Sequence, residues 1–116
     1  MKVQSEHMEQ CLFVQWFRQT YPKIRIFAIP NGGGRSKAAG ASLKAEGVSA
    51  GVPDLCIPEW NTWIEMKRSA GSHLSPEQRD WMAYLESIGQ TCVVGFGWED
   101  ARKKILDKRR CLSDER

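Results

Sequence analysis

The sequence predicts an α/β domain, a central mixed sheet of about four strands flanked by helices. Three observations carry this. Apolar residues recur at helical spacing early in the chain, in residues 5–20. Short apolar runs of strand length stand at 55–57, 62–67 and 91–96. The two patterns alternate, giving the order helix, strand, short helix, hairpin, helix, strand, helix. At 116 residues the chain is one domain, residues 1–116, with a core over about 5–106 and a charged tail at 107–116. A hydrophobic content of 41% sustains a modest core and argues against disorder.

The first helix begins after Ser5, a residue suited to capping free backbone N–H groups. Met8, Leu12 and Trp16, with Phe13 and Phe17, give it a broad apolar face that reads as core. Glu6 and Glu9 fall in its first turns, where acids favour the helix dipole. Tyr21-Pro22 ends it. Lys23 to Ile29 reads as a strand, with Ile24, Ile26 and Ala28 alternating against Arg25 and Phe27. The loop Pro30-Asn31-Gly32-Gly33-Gly34-Arg35-Ser36 follows. It lacks the spacing of a Walker loop or a dinucleotide fingerprint. It is either a loose connector or a backbone that approaches phosphate, helped by Arg35 and Lys37. A short helix then runs to Glu46 and is closed by Gly47. Lys37 and Lys44 share one of its faces and form either a solvated surface or part of a basic rim.

Residues 51–67 read as a hairpin with unusual charges. Gly51-Val52-Pro53-Asp54 leads into Leu55-Cys56-Ile57, and Thr62-Trp63-Ile64-Glu65-Met66-Lys67 forms the return strand. Alternation places Trp63, Glu65 and Lys67 on one face, with Glu65 and Lys67 roughly 6 to 7 Å apart. A two-residue loop at Trp60-Asn61 would set Asp54 opposite Lys67 and Glu65 opposite Cys56. Asp54 and Glu65 would then be diagonal neighbours, within reach of a shared divalent ion. A longer loop shifts this register. The charges read either as a cross-strand ion pair or as a site for a hard cation, which prefers carboxylates and carbonyls.

Arg68 follows at once, either solvated or placed to meet a phosphate. Ser75-Pro76-Glu77-Gln78 opens the next helix, with Ser75 as cap, Pro76 in the first turn and Gln78 completing a capping box. Gln78 also begins the row of Met82 and Leu85, at the end nearest the hairpin charges. Ile88-Gly89 ends that helix. Thr91 to Phe96 is nearly all apolar and reads as an internal strand. Trp98 to Leu106 is a last helix, and the charged residues beyond, from Lys108, Arg109 and Arg110, read first as a frayed end and second as a DNA-contacting tail.

These residues resemble a known family. Pro53-Asp54 with Glu65-Met66-Lys67 looks like the PD-(D/E)XK nuclease signature. Glu6, Gly47-Val48, Gly51-Val52-Pro53-Asp54-Leu55 and Leu74-Ser75-Pro76-Glu77-Gln78, with Trp81 and Leu85, extend it to the VRR-NUC branch, the virus-type replication-repair nucleases. The resemblance runs from about residue 5 to about 101 and implies a restriction-endonuclease-like core. It implies metal binding by Asp54, Glu65, the Met66 backbone carbonyl and Glu6, with Mg²⁺ or Mn²⁺ as the ion. Glu9, three residues on from Glu6 and on the same side, stays as an alternative. Lys67 would orient the attacking water, and Gln78 would stand near the metal. Arg35, Lys37, Lys44 and Arg68 would contact nucleic acid. The implied activity is structure-selective DNA cleavage of the Holliday-junction-resolvase kind, by a homodimer acting on branched DNA.

Two other readings compete with it. One is a nuclease-fold module that binds nucleic acid without cutting; such modules usually lose an acid or the lysine, and this chain keeps both. The other is a partner-binding domain, which leaves the charged cluster unexplained. A net charge of +3 suits nucleic acid without proving it. The four cysteines match no zinc spacing and suggest a reducing compartment. No signal core or run of transmembrane length is visible, so the expectation is a soluble, cytoplasmic protein of a bacterial or phage-infected cell, without a membrane.

Overall fold

The computed structural model describes residues 2–30 and 37–114, apart from the side chains of 37–39 and 111–114. The elements are α1 (Glu6–Thr20), β1 (Phe27–Ala28), α2 (Lys37–Ala45), β2 (Leu55–Ile57), β3 (Thr62–Lys67), α3 (Pro76–Ser87), β4 (Thr91–Phe96) and α4 (Trp98–Asp114). The sheet has the order β1-β2-β3-β4. β1, β2 and β3 pair antiparallel, and β4 lies parallel to β3 after the α3 crossover. This is the α/β mixed sheet of four strands that the sequence predicts.

Three expectations change. The first strand shrinks to two residues, although Ile26 before it is buried. β4 is an edge strand and not an internal one. Its apolar character comes from cover on both faces: Gly95 lies against Ala101 of α4, and the Cys92 thiol lies near the Met82 carbonyl of α3. The last helix does not fray after Leu106 but continues to Asp114. Arg109 on that extension stacks over Trp60 with 4.2 Å from its guanidinium carbon to the ring centroid.

The core lies on one face of the sheet. Leu55, Ile57, Ile64, Met66 and Val93 meet Phe13 and Phe17 of α1 and Ala101 and Ile105 of α4 there. Ser5 caps α1 as expected, accepting a hydrogen bond from the Met8 N–H. In α1 the fully covered row is Glu9, Phe13 and Phe17, one residue every four. Met8 is exposed, and Leu12 and Trp16 are only half-buried, so the buried stripe is narrower than the sequence suggests.

The hairpin register also differs. Leu55 faces Ile64, Cys56 faces Trp63 and Ile57 faces Thr62. The connection is not a two-residue loop but a 3₁₀ turn over Pro58–Trp60 closed by Asn61, which takes a left-handed conformation at φ 48°. Pro58 suits the first position of such a turn, and asparagine tolerates positive φ better than most residues. The slip is even-numbered, so every side chain keeps its predicted face. Cys56 therefore faces Trp63 instead of Glu65. Asp54, just ahead of β2, comes level with Glu65 instead of Lys67.

Candidate metal centre

Alternation along β3 sends Ile64 and Met66 into the core and puts Glu65 and Lys67 on the opposite face. Both are buried, at 2% and 8% exposure. Asp54, also buried, is held just ahead of β2 by its own backbone and by its neighbour strands. Its carbonyl accepts the Ile29 N–H at 2.8 Å, and its Oδ2 accepts the Met66 N–H at 2.7 Å. Pro53 before it is fully buried and has no N–H to leave unpaired. Glu6, in the first turn of α1, reaches the same point from a different element. Carboxylate oxygens of Glu6, Asp54 and Glu65 lie within 4.8 Å of one another.

The electrostatics of the trio are frustrated. Glu65 is pushed up to about 9, first by burial, then by a hydrogen bond and charge repulsion from Asp54, with Lys67 pulling the other way. The push is toward the protonated form of Glu65, which lies in hydrogen-bond contact with Asp54. Glu6 is also raised, by burial and by the Asp54 charge, against the pull of Lys67 and Arg68. Glu65 Oε1 is buried and accepts no hydrogen bond from any described residue. A buried acceptor without a donor is costly.

A divalent ion answers each of these features. Oxygen ligands at roughly 2.1 to 2.4 Å from an ion can be at most about 4.2 to 4.8 Å apart. The oxygens of the trio fall within that upper limit. The ligand set is all oxygen, which suits a hard cation. Its charge would release the Glu65 proton and give Oε1 a partner. The residues present thus fit such an ion.

The chain around the site is built for close approach. Gly51 has φ +90°, and a Cβ there would come within 2.4 Å of the Glu77 backbone, so the first turn of α3 rests directly on the lead-in to Asp54. That turn carries Gln78, whose Oε1 accepts the Ser75 N–H at 2.8 Å while Ser75 Oγ accepts the Gln78 N–H. The capping box is present as expected, and it occupies the Gln78 carbonyl oxygen. Arg68 donates to the Gly71 carbonyl at 3.1 Å, and its charge is felt at Glu6. Lys44 is exposed on α2. Arg35 and the Lys37 side chain lie outside the described residues.

Sequence reasoning leaves open whether Glu6 or Glu9 joins this centre. The structure brings in Glu6 and sends Glu9 elsewhere. Glu9 is 5% exposed, and its Oε1 accepts the Trp98 N–H at the start of α4, at 2.9 Å. Gly95 and Gly97 also escaped notice. A Cβ on Gly95 would overlap Ala101, and Gly97 has φ +92°. Glycines two apart at a strand-to-helix junction were the available signal.

No family model matches the chain, and no curated protein does. A solved structure described as a "VRR_NUC domain protein" is similar to it, with a TM-score of 0.77 and 26% identity. The likeness covers 92% of this chain and 89% of that one. The chain therefore has the fold of a VRR-NUC domain, and the likeness supports a nuclease-family domain. No helix among the described residues is long and apolar enough to cross a membrane.

Proposed function

We propose that this VRR-NUC-fold domain is a metal-dependent, structure-selective DNA endonuclease that hydrolyses phosphodiester bonds. One observation carries the reading: three carboxylates converge beside a buried lysine, and the buried Oε1 of Glu65 has no donor among the described residues. Glu6, Asp54 and Glu65 would hold Mg²⁺ or Mn²⁺. The Met66 carbonyl points to the same side of β3 as its N–H, toward Asp54, and would add a neutral ligand. When bound, the ion supplies Lewis-acid chemistry at the scissile phosphate. Lys67 orients the attacking water and stabilises charge on the phosphoryl oxygens. Its burial keeps that charge close to its targets and poorly screened. Gln78 keeps its amide N–H₂ group for a ligand or substrate oxygen, since the capping box uses only its carbonyl. Arg68, Lys44, Arg35 and Lys37 supply phosphate contacts.

Branched DNA cut by a homodimer is the preferred substrate and assembly, because a junction needs two symmetric incisions. The test is cleavage of a labelled four-way junction and of matched duplex, with Mg²⁺ or Mn²⁺, by wild type and Lys67→Ala. Metal-dependent junction cleavage that Lys67→Ala abolishes is the expected result. Equal cleavage of both substrates removes the junction preference and keeps the nuclease. Tight, salt-sensitive binding without cleavage favours a non-cutting binding module instead.

A further inference from the structure

We infer that Glu9 is a positioning residue for the metal centre. Its carboxylate pins the turn of α1 that carries Glu6 to the β4–α4 junction, and through that junction to the backbone of Lys67. The inference rests on the nuclease reading above.

Residues 2–8 are all exposed or half-buried, so Glu9 is the first buried residue of the helix and Phe13 comes four later. Packing alone asks for an apolar side chain at the head of that row. A carboxylate placed there must be compensated. The compensation is specific. Glu9 Oε1 accepts the Trp98 N–H, a donor that α4 leaves free at its N-terminus and that favours an anion. The neighbouring Gly97 turns the chain at φ +92°, and its Cα side faces the carboxylate: a Cβ there would lie 3.6 Å from both Glu9 oxygens, in ordinary contact. The Gly97 N–H in turn donates to the Lys67 carbonyl at 2.9 Å.

Glu6 is thus linked to Lys67 by a short rigid path. It runs through less than one helical turn, one hydrogen bond, one peptide unit and a second hydrogen bond. Asp54, Glu65 and Lys67 all stand on the β2–β3 hairpin, whose register fixes them together. Glu6 is the member brought from another element, so its position needs a separate tie. Without Glu9 the first turn of α1 has no buried anchor, and helix ends fray without one.

The test is calorimetric titration of the whole protein with Mn²⁺, which reads binding without DNA or turnover, together with thermal unfolding. Glu9→Met fills the buried row and removes the acceptor. Glu9→Gln keeps an oxygen in place. Folded Glu9→Met should bind Mn²⁺ about tenfold more weakly, and Glu9→Gln within about twofold of wild type. In a Glu6→Ala background, Glu9→Met should weaken binding no further, because Glu9 acts through Glu6. Folded Glu9→Met with wild-type affinity overturns the inference. So does Glu9→Gln as weak as Glu9→Met, since the hydrogen bond would then not be the tie. If Glu9→Met does not fold, Glu9→Asp decides. It keeps the charge and withdraws the oxygen by one methylene, so weakened binding supports the inference and unchanged binding overturns it. Glu65→Ala separates the two levels. Loss of Mn²⁺ binding in Glu65→Ala with wild-type binding in Glu9→Met sinks Glu9 alone, whereas wild-type binding in Glu65→Ala sinks the metal centre.

Discussion

The two ends of the β2–β3 hairpin are opposite in chemistry. At one end Asp54, Glu65 and Lys67 are buried with Glu6 beside them, and Glu65 Oε1 has no donor among the described residues. At the other end Trp60 meets Phe17 and Tyr21 edge-on, at centroid distances of 5.3 and 5.0 Å, and Arg109 stacks on it. The first end concentrates charges that a folded chain would rather keep in water. The second concentrates the apolar and aromatic contacts that make folding favourable. Both are anchored by the same short strands. On the proposed reading, function and stability occupy opposite poles of one hairpin, so substitutions should separate them.

The largest effects should fall at the charged pole. Asp54→Ala, Glu65→Ala and Lys67→Ala should each lower cleavage by about a thousandfold or more, near 4 kcal/mol of barrier. Thermal stability measured without metal should hold or rise in Glu65→Ala, because the acceptor without a donor is gone. A steep fall in stability there would mean that the carboxylates hold the fold together and would erase the contrast between the poles. Phe17→Ala tests the aromatic pole. Phe17 is fully buried among α1, α4 and the hairpin turn, and its loss should destabilise by about 3 kcal/mol or more in denaturant unfolding. Protein that stays folded should still bind Mn²⁺ with near wild-type affinity.

A pH series sharpens the contrast. Glu65 is held near 9 in the folded chain, above its ordinary value of 4.5. The folded state therefore keeps a proton that the unfolded state has lost. This contribution to stability is complete below about 4.5 and is lost as pH rises through about 9. Glu6 is raised as well and acts in the same direction. Metal-free protein should show a melting temperature that falls from pH 5 to pH 9, and Glu65→Gln should flatten the slope. Added Mn²⁺ should restore more stability at high pH than at low pH, because binding displaces the proton. A metal-free melting temperature that climbs over this range would show that Glu65 is already ionised.

Much of this contrast was legible in the sequence, and the parts that were not have physical causes. Helix starts were readable because capping is local: Ser5 and Ser75 name their own positions. The faces of β3 were readable because alternation needs no knowledge of the partner strand. The hairpin register was not, since it depends on how Pro58-Glu59-Trp60-Asn61 curls into a 3₁₀ turn with a left-handed Asn61. The edge position of β4 was hidden too, because an apolar run records cover on the two faces, which helices supply here, and not whether strands pair along both edges. The choice between Glu6 and Glu9 depended on a contact between residues 89 apart in the chain, which no local pattern encodes.

The smallest expected effect concerns the tail, where local reading saw only charge. Lys108, Arg109 and Arg110 are a basic run near a chain end, and such a run is ordinarily solvated. In the fold α4 continues through it, and among the described residues half-buried Arg109 of these extra turns lies on Trp60. An arginine over an indole at a partly exposed site contributes about 0.5 to 1 kcal/mol. Arg109→Ala should therefore lower stability by that amount, and Arg109→Lys should recover only part of it, since an ammonium lacks the flat stacking surface. Exposed Arg110→Ala is the control and should change little. Cleavage and Mn²⁺ affinity should stay at wild-type levels in all three. A loss of DNA binding confined to Arg109→Ala would reassign that residue from the aromatic pole to the substrate, and the separation of the two poles would fail at α4.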